Sequence, residues 1–252
     1  MTEEPILSMS HVTTVFGSGW GRRRHVVTAM DDVCFEIARG ETLGLVGESG
    51  SGKTTTGAVA LGLRAPTTGT VSFDGAPLGR RRDRIGRIQA VLQNPQWSLN
   101  PRLRVADAVA EPLTVVRGGR LRDHREAVVA MLDAVGLESA FADRFPHQLS
   151  GGQCQRVSIA RALVTHPEFI VFDEAVSALD VSVQAQILNL VKDLQAEHGF
   201  GALFISHDLA AVRYLAHRIA VMKSGQIVEM ADTQRFYGTP THPYSRQLLE
   251  AL

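Results

Sequence analysis

Gly47-Glu48-Ser49-Gly50-Ser51-Gly52-Lys53-Thr54 fits the pattern G-x-x-x-x-G-K-[ST] and follows the apolar run Leu43-Gly44-Leu45-Val46, which reads as a buried strand. Glycines let such a loop curl closely around phosphate oxygens, so that successive N–H groups and the following helix N-terminus face the negative charge. Lys53 then reaches the β and γ phosphates, and the Thr54 hydroxyl completes the shell of a Mg²⁺ ion that is otherwise mostly water. A chance glycine cluster lacks the strand before and the helix after. Here the helix is expected from Thr55 to Leu63. The loop predicts a nucleoside triphosphate site.

A second motif, Leu149-Ser150-Gly151-Gly152-Gln153, opens another helix. Ser150 and the two glycines stand where a helix N-terminus offers N–H donors and a hydroxyl to an anion, and a second cradle implies a second nucleotide. With this motif the chain resembles the ATP-binding cassette family, whose signature is LSGGQ. Its cassettes pair so that ATP lies between the phosphate loop of one and the signature of the other. The resemblance therefore implies two subunits, with Ser150, Gly151, Gly152 and Gln153 acting on the nucleotide of the second.

The resemblance continues in the family's order. Phe169-Ile170-Val171-Phe172-Asp173-Glu174 is an apolar run ending in two carboxylates. By analogy Asp173 binds Mg²⁺ through its shell and Glu174 polarises the attacking water. Phosphoryl transfer needs both charge neutralisation and an in-line water held by an acceptor, and adjacent residues at a strand end point to different sides. Gln93 matches the glutamine that touches Mg²⁺ and water. Ser177-Ala178-Leu179-Asp180 matches the D-loop that crosses to the partner cassette, and His207 the switch histidine that contacts the γ phosphate. His207 lies 33 residues after Glu174, with one helix between, and among nine histidines that order and spacing single it out.

The elements that must hold these groups are legible. Val183, Ile187, Leu190, Val191 and Leu194 form one apolar stripe at helical spacing, and Ala202-Leu203-Phe204-Ile205 is a strand that delivers His207 to the carboxyl end of a sheet, the edge where open α/β folds bind ligands. Ala127, Val128, Met131, Leu132 and Val135 form a second helical stripe stopped by Gly136. Lys223-Ser224-Gly225-Gln226 reads as a hairpin turn between Ile219–Met222 and Ile227–Met230. The expected fold is α/β: a P-loop NTPase (RecA-like) core, an N-terminal antiparallel β subdomain and an inserted α-helical subdomain. Residues 1–95 and 157–230 are expected to form the core with the β subdomain, 96–156 the helical subdomain and 231–252 a C-terminal tail. The family usually stacks an aromatic residue of the β subdomain on adenine. Phe16 is best placed, with Trp20 and Val26 as rivals and plain core packing as the other role.

Composition sets the outer limits. The 252 residues, 44% of them hydrophobic, suffice for one large α/β domain with a buried core. A net charge of zero gives no global basic field, so no nucleic-acid partner is expected. Arg22-Arg23-Arg24 and Arg80, Arg81, Arg82, Arg84 and Arg87 are local clusters, read as solvated loops in preference to lipid-headgroup contacts. Two lone cysteines, Cys34 and Cys154, fit a reducing cytosol and make neither a metal cage nor a disulfide framework. No stretch approaches the roughly 18 apolar residues of a spanning helix, and the N-terminus lacks a signal peptide's regions. Any membrane path must come from other subunits.

Three stretches point within the family. Gln93-Asn94-Pro95-Gln96-Trp97-Ser98-Leu99-Asn100-Pro101-Arg102, Asp173 through Gln186, and Thr241-His242-Pro243-Tyr244-Ser245-Arg246-Gln247-Leu248-Leu249 resemble ATPases of oligopeptide, dipeptide and nickel importers. Ala175-Val176 departs from the Pro-Thr of the wider family but is usual in this branch, and Cys154 replaces a polar residue one step beyond the phosphate-facing donors. The resemblance implies ATP and Mg²⁺ as cofactors and a second ATPase subunit, a paralogue or another copy. It also implies two integral membrane permease subunits, an extracytoplasmic substrate-binding protein reached indirectly, and a peripheral position on the cytoplasmic face of the membrane. Peptide cargo leads over nickel or another small solute. The rivals are an exporter's cassette, which lacks the His-Pro-Tyr tail, and a soluble mechanochemical ATPase, which needs an inserted coiled coil or two cassettes in one chain.

Overall fold

The computed structural model describes residues 4–18, 25–79, 81–94 and 98–250. Trp20, Arg22, Arg23, Arg24, Arg80 and Trp97, all named above, lie outside them. The chain divides into two compact units, Met1–Gly79 with Gly201–Leu252, and Arg80–Phe200.

The first unit carries an antiparallel sheet of β1 (Leu7–Ser18), β2 (His25–Ile37), β4 (Thr68–Phe73) and β5 (Ala76–Pro77) in the order β2-β1-β4-β5. Alternation puts Met9, Val12, Met30, Val33, Phe35 and Ile37 inside. The β1–β2 register shifts between Met9 and Val12 and again between Val12 and Thr14, and His11 and Asp32 take left-handed φ values of 51° and 54° at these two irregularities. A second sheet is built on β3 (Thr42–Val46), which pairs in parallel with both β8 (Gly201–Ile205) and β9 (Arg218–Lys223). Strand β9 pairs antiparallel with β10 (Gln226–Asp232). Every residue of β3 and β8 is buried, as suits parallel strands covered on both faces. The β9–β10 hairpin turns at Ser224 and Gly225, with φ of 49° and 88°, the conformation of the expected two-residue loop.

Helix α1 spans Lys53–Ala60 and so starts earlier and stops earlier than the sequence suggests. Its end follows from Gly62 at φ 61°, whose N–H bonds to the Val59 carbonyl at 2.9 Å, a turn that glycine enters without steric cost. Leu63 is left 77% exposed.

The second unit pairs β6 (Ile88–Leu92) and β7 (Phe169–Asp173) in parallel. It adds α2 (Val105–Arg117), α3 (Arg125–Ala134), α4 (Gly151–Leu163) and α5 (Val181–His198). Val105, Val109, Leu113, Val128, Leu132, Cys154 and Val157 are buried among the first three, each aliphatic side chain contributing about 1.5–3 kcal/mol. Gly136, at φ 73°, stops α3 as expected. Helix α4 runs unbroken past residue 156 to Leu163. Helix α5 buries Ile187, Val191 and Leu194 of the expected stripe and adds Leu188. Two short helices of the first unit, α6 (Leu209–Leu215) and α7 (Thr233–Gly238), and a C-terminal α8 (Pro243–Glu250) complete the fold. No helix among the described residues is long and apolar enough to cross a membrane.

Candidate nucleotide site

In the first unit β3 leads directly into the glycine-rich loop. Gly47, Gly50 and Gly52 take φ of 150°, 79° and 113°. A side chain at Gly47 would put its Cβ 2.1 Å from the Met222 carbonyl oxygen, and one at Gly52 2.2 Å from that of Ala29. The loop is thus pressed against the β9–β10 hairpin and β2, and the Gly225 N–H donates to the Ser51 carbonyl at 2.9 Å. Glu48, Ser49 and Gly50 are exposed. No side chain caps α1, so the first-turn N–H groups at Lys53, Thr54 and Thr55 are presented without a capping competitor. Ser51 is 5% exposed and its hydroxyl finds no hydrogen-bond partner among the described residues. The Lys53 ammonium, also buried, donates to the Gly47 and Glu48 carbonyls at 2.7 and 2.8 Å. A buried cation held against loop carbonyls, a buried hydroxyl without a partner and an open helix start together make a cradle for phosphate oxygens.

Strand β8 runs beside β3 in parallel, with Leu45 opposite Ile205. The loop and His207 therefore leave neighbouring strands at the same, carboxyl end. His207 is exposed. It lies between Ser206, whose hydroxyl accepts the Asp208 N–H at 3.0 Å, and Asp208, which caps α6 by accepting from Ala210 and Ala211 at 2.8 and 3.1 Å. Both neighbours are committed to shaping the turn that exposes the imidazole.

In the second unit the parallel register places Leu92 opposite Asp173, so Gln93 and Glu174 follow side by side. The Gln93 Nε2 donates to Glu174 Oε2 at 2.7 Å. A carboxylate only accepts, so this bond fixes the amide orientation and directs the Gln93 carbonyl oxygen elsewhere. Glu174 takes φ 50°, an uncommon conformation for a residue with a Cβ, and its carbonyl accepts from the Ser177 hydroxyl at 3.0 Å. The sequence places Gln93 by motif alone and gives no sign that it grips Glu174. Within this unit the oxygen donors of Gln93 and Asp173 are of the type that suits a hard cation such as Mg²⁺.

The signature opens α4 as expected, but two of its side chains are engaged locally. Ser150 Oγ accepts the Gln153 N–H at 3.3 Å and Gln153 Oε1 accepts the Ser150 N–H at 2.9 Å. This reciprocal box is written in the spacing Ser-x-x-Gln. Gly151 and Gly152 form the first turn of the helix, and a Cβ at Gly152 would lie 2.6 Å from Val183 Cγ1. In the D-loop, Asp180 caps α5 by accepting from the Val183 N–H at 3.0 Å and the Ser182 hydroxyl at 2.8 Å. The bond from Val183, with that from Ser182, holds its carboxyl below the ordinary range. Ala178 is exposed and Leu179 half-buried beside them. Cys154 is fully buried, and burial pushes its thiol up.

Phe16 on β1 is 38% exposed, and the Arg64 guanidinium sits 3.6 Å from its ring centroid. One ring face is thus occupied by a cation. On the same strand pair, His11, Asp32 and Cys34 bring ligand-type atoms within 4.8 Å of one another, all three exposed. His11 Nδ1 and Asp32 Oδ1 already pair at 2.7 Å. A lone-cysteine reading of Cys34 misses this because the bulge in β1 creates it.

A family model described as ABC transporter matches residues 30–177, more than half of the chain. Two relatives are each 46% identical. The oligopeptide transport ATP-binding protein OppF of Bacillus subtilis aligns over 100% of this chain and 83% of its own length. The glutathione import ATP-binding protein GsiA of Pectobacterium atrosepticum aligns over 99% of this chain and 41% of its own length. Among solved structures, a dimeric ATP-binding cassette in a post-hydrolysis state with ADP and Pi superposes with a TM-score of 0.78 at 30% identity, covering 90% of this chain and 98% of that one. The matched model, the near-complete overlap with OppF and the cradle and carboxylates described above make this chain an ATP-hydrolysing cassette of the ABC transporter family.

Proposed function

We propose that this ATPase energises import of di- or oligopeptides through separate membrane permeases. The observation that carries the cargo class is the alignment of the whole chain with a subunit named for oligopeptide transport, in a chain that keeps the Gln93–Glu174 pair of a hydrolytic site. Lys53 turns from the loop carbonyls to the β and γ phosphates, and the loop and α1 N–H groups bind the rest. Thr54 of the first unit, and Asp173 and the Gln93 carbonyl of the second, would each offer an oxygen to Mg²⁺, which would supply neutralisation of phosphate charge. Glu174, steadied by Gln93, orients the attacking water, and His207 contacts the γ phosphate. Phe16 offers its free face to adenine.

The signature residues Ser150, Gly151, Gly152 and Gln153 face the nucleotide of a second cassette, a paralogue or another copy, and Ser177 through Asp180 line the same junction. A cleft of about 210 Å³ lined by Gln89, Leu92, Ser98, Pro112 and Arg161 is where a helix of a permease would seat. The chain then works at the cytoplasmic face of a membrane, with two permease subunits and, indirectly, an extracytoplasmic binding protein.

The test is uptake of a labelled dipeptide, a labelled oligopeptide, glutathione and nickel in cells carrying wild type or Glu174→Gln at matched protein levels. Loss of peptide uptake alone supports the reading. Loss of nickel uptake alone moves the cargo to metal, and no loss of any overturns the importer role.

A further inference from the structure

The C-terminal residues 233–250 lie beyond every phosphate and carboxylate motif, yet they are tied to two of them. Their anchor is Glu229 on β10, 8% exposed. Its carboxylate accepts from the Thr241 N–H and hydroxyl, both at 2.7 Å, and from the His242 N–H at 2.9 Å. Burial pushes this carboxyl up, but the Ser245 hydroxyl and the Thr241 and His242 donors outweigh it and leave it at about 2. The anchor is therefore ionised throughout the neutral range. From it His242 Nδ1 accepts the Tyr244 N–H at 3.2 Å, which aims the phenol.

Tyr244 is 3% exposed. Its hydroxyl oxygen accepts the backbone N–H of Glu48, second residue of the phosphate loop, at 3.1 Å. The Lys223 ammonium stands 4.5 Å from the ring centroid. Seven residues earlier, the Tyr237 hydroxyl donates to the Leu209 carbonyl, at the start of α6 and two positions after His207, and Arg213 lies 4.9 Å from the Tyr237 ring. Burial raises both phenols, Tyr237 to about 12.

We propose that residues 233–250 act as a strap that sets the phosphate loop through Tyr244 and the switch segment through Tyr237, with Glu229 as its anchor. Both tyrosines are positioning residues. A glycine-rich loop free to rearrange must lose that freedom when it closes on phosphate, and a loop whose entrance is already fixed avoids part of that cost. The Glu48 amide bond to Tyr244 spans 196 positions, so the tail's attachment is coupled directly to ATP affinity. The proposal rests on the ATPase reading and is indifferent to cargo.

The test uses the full chain and its Tyr244→Phe variant, which keeps the buried ring and removes the hydroxyl, and with it both the bond from the Glu48 amide and the contact with the Glu48 side chain. Losing one such bond predicts a rise in Kd and KM for ATP of about 3- to 10-fold, with kcat within about twofold. Tyr237→Phe predicts the opposite split, a kcat lowered about 3- to 10-fold at nearly unchanged affinity. Hydrogen exchange distinguishes positioning from general loosening. At equal offset below each melting temperature, faster exchange at the Glu48 amide of Tyr244→Phe, with β3 still protected, supports the strap. Equal acceleration in loop and β3, or unchanged ATP affinity, overturns it. Failure of the wild type to bind ATP would instead remove the ATPase reading itself.

Discussion

Gln93 and Glu174 meet at 2.7 Å across 81 positions of sequence, amide nitrogen to carboxylate oxygen. One carboxylate oxygen is thereby held by the amide. A hydrogen bond to a charged group contributes roughly 1.5–3 kcal/mol, so Gln93→Ala should lower kcat about 10- to 100-fold, with the apparent Mg²⁺ requirement rising as well. Steady-state ATPase assays across Mg²⁺ concentrations check both.

Gly152 packs against Val183, with a Cβ position only 2.6 Å from Val183 Cγ1. Gly152→Ala should therefore cost about 1–3 kcal/mol by overpacking. Val183→Ala opens that space, so the double variant should recover most of the loss, a coupling that a melting cycle of the four proteins measures. Simple additivity would mean that the loss at Gly152 does not arise from its contact with Val183.

Glu229 ties β10 to the tail, and its carboxyl is depressed to about 2 from an ordinary 4.5. A depressed carboxyl stabilises the fold fully above the unfolded value and loses that contribution as pH falls towards the folded one. Stability should fall between pH 4.5 and about 2, by up to about 3 kcal/mol. Glu229→Gln should flatten this segment of the curve while lowering stability at neutral pH. Chemical denaturation at a series of pH values reads the difference.

Gly52 opens α1 at φ 113° with the Ala29 carbonyl 2.2 Å from where a Cβ would stand. Strain and clash of this kind cost roughly 1–3 kcal/mol, so Gly52→Ala should weaken ATP binding by about 5- to 150-fold. Calorimetry with ATP decides it, and unchanged affinity would mean that the loop adapts.

Short-range chemistry was the legible part of this molecule. The phosphate loop, the buried runs of β3, β7 and β8, the Ser224–Gly225 turn and the helix opened by Ser150 all depend on neighbours within a few residues. The end of α1 is not legible locally, because Leu63 continues an apolar pattern that Gly62 has already broken. The Ser150–Gln153 box was open to reading, since its spacing is that of a reciprocal cap, but the anion-binding interpretation of the same four residues masked it. What local patterns do not contain is pairing across the chain. Gln93 meets Glu174 only because β6 and β7 run in register, and Tyr244 reaches Glu48 only because Glu229 folds the tail back.

The burial of Cys154 has a practical side. With its thiol enclosed and pushed up by burial, Cys34 on the exposed face of β2 is left as the exposed thiol of the two. The unaltered sequence thus carries one natural attachment point for a fluorophore, on the sheet that also bears Phe16. A label can be attached there without changing a single residue.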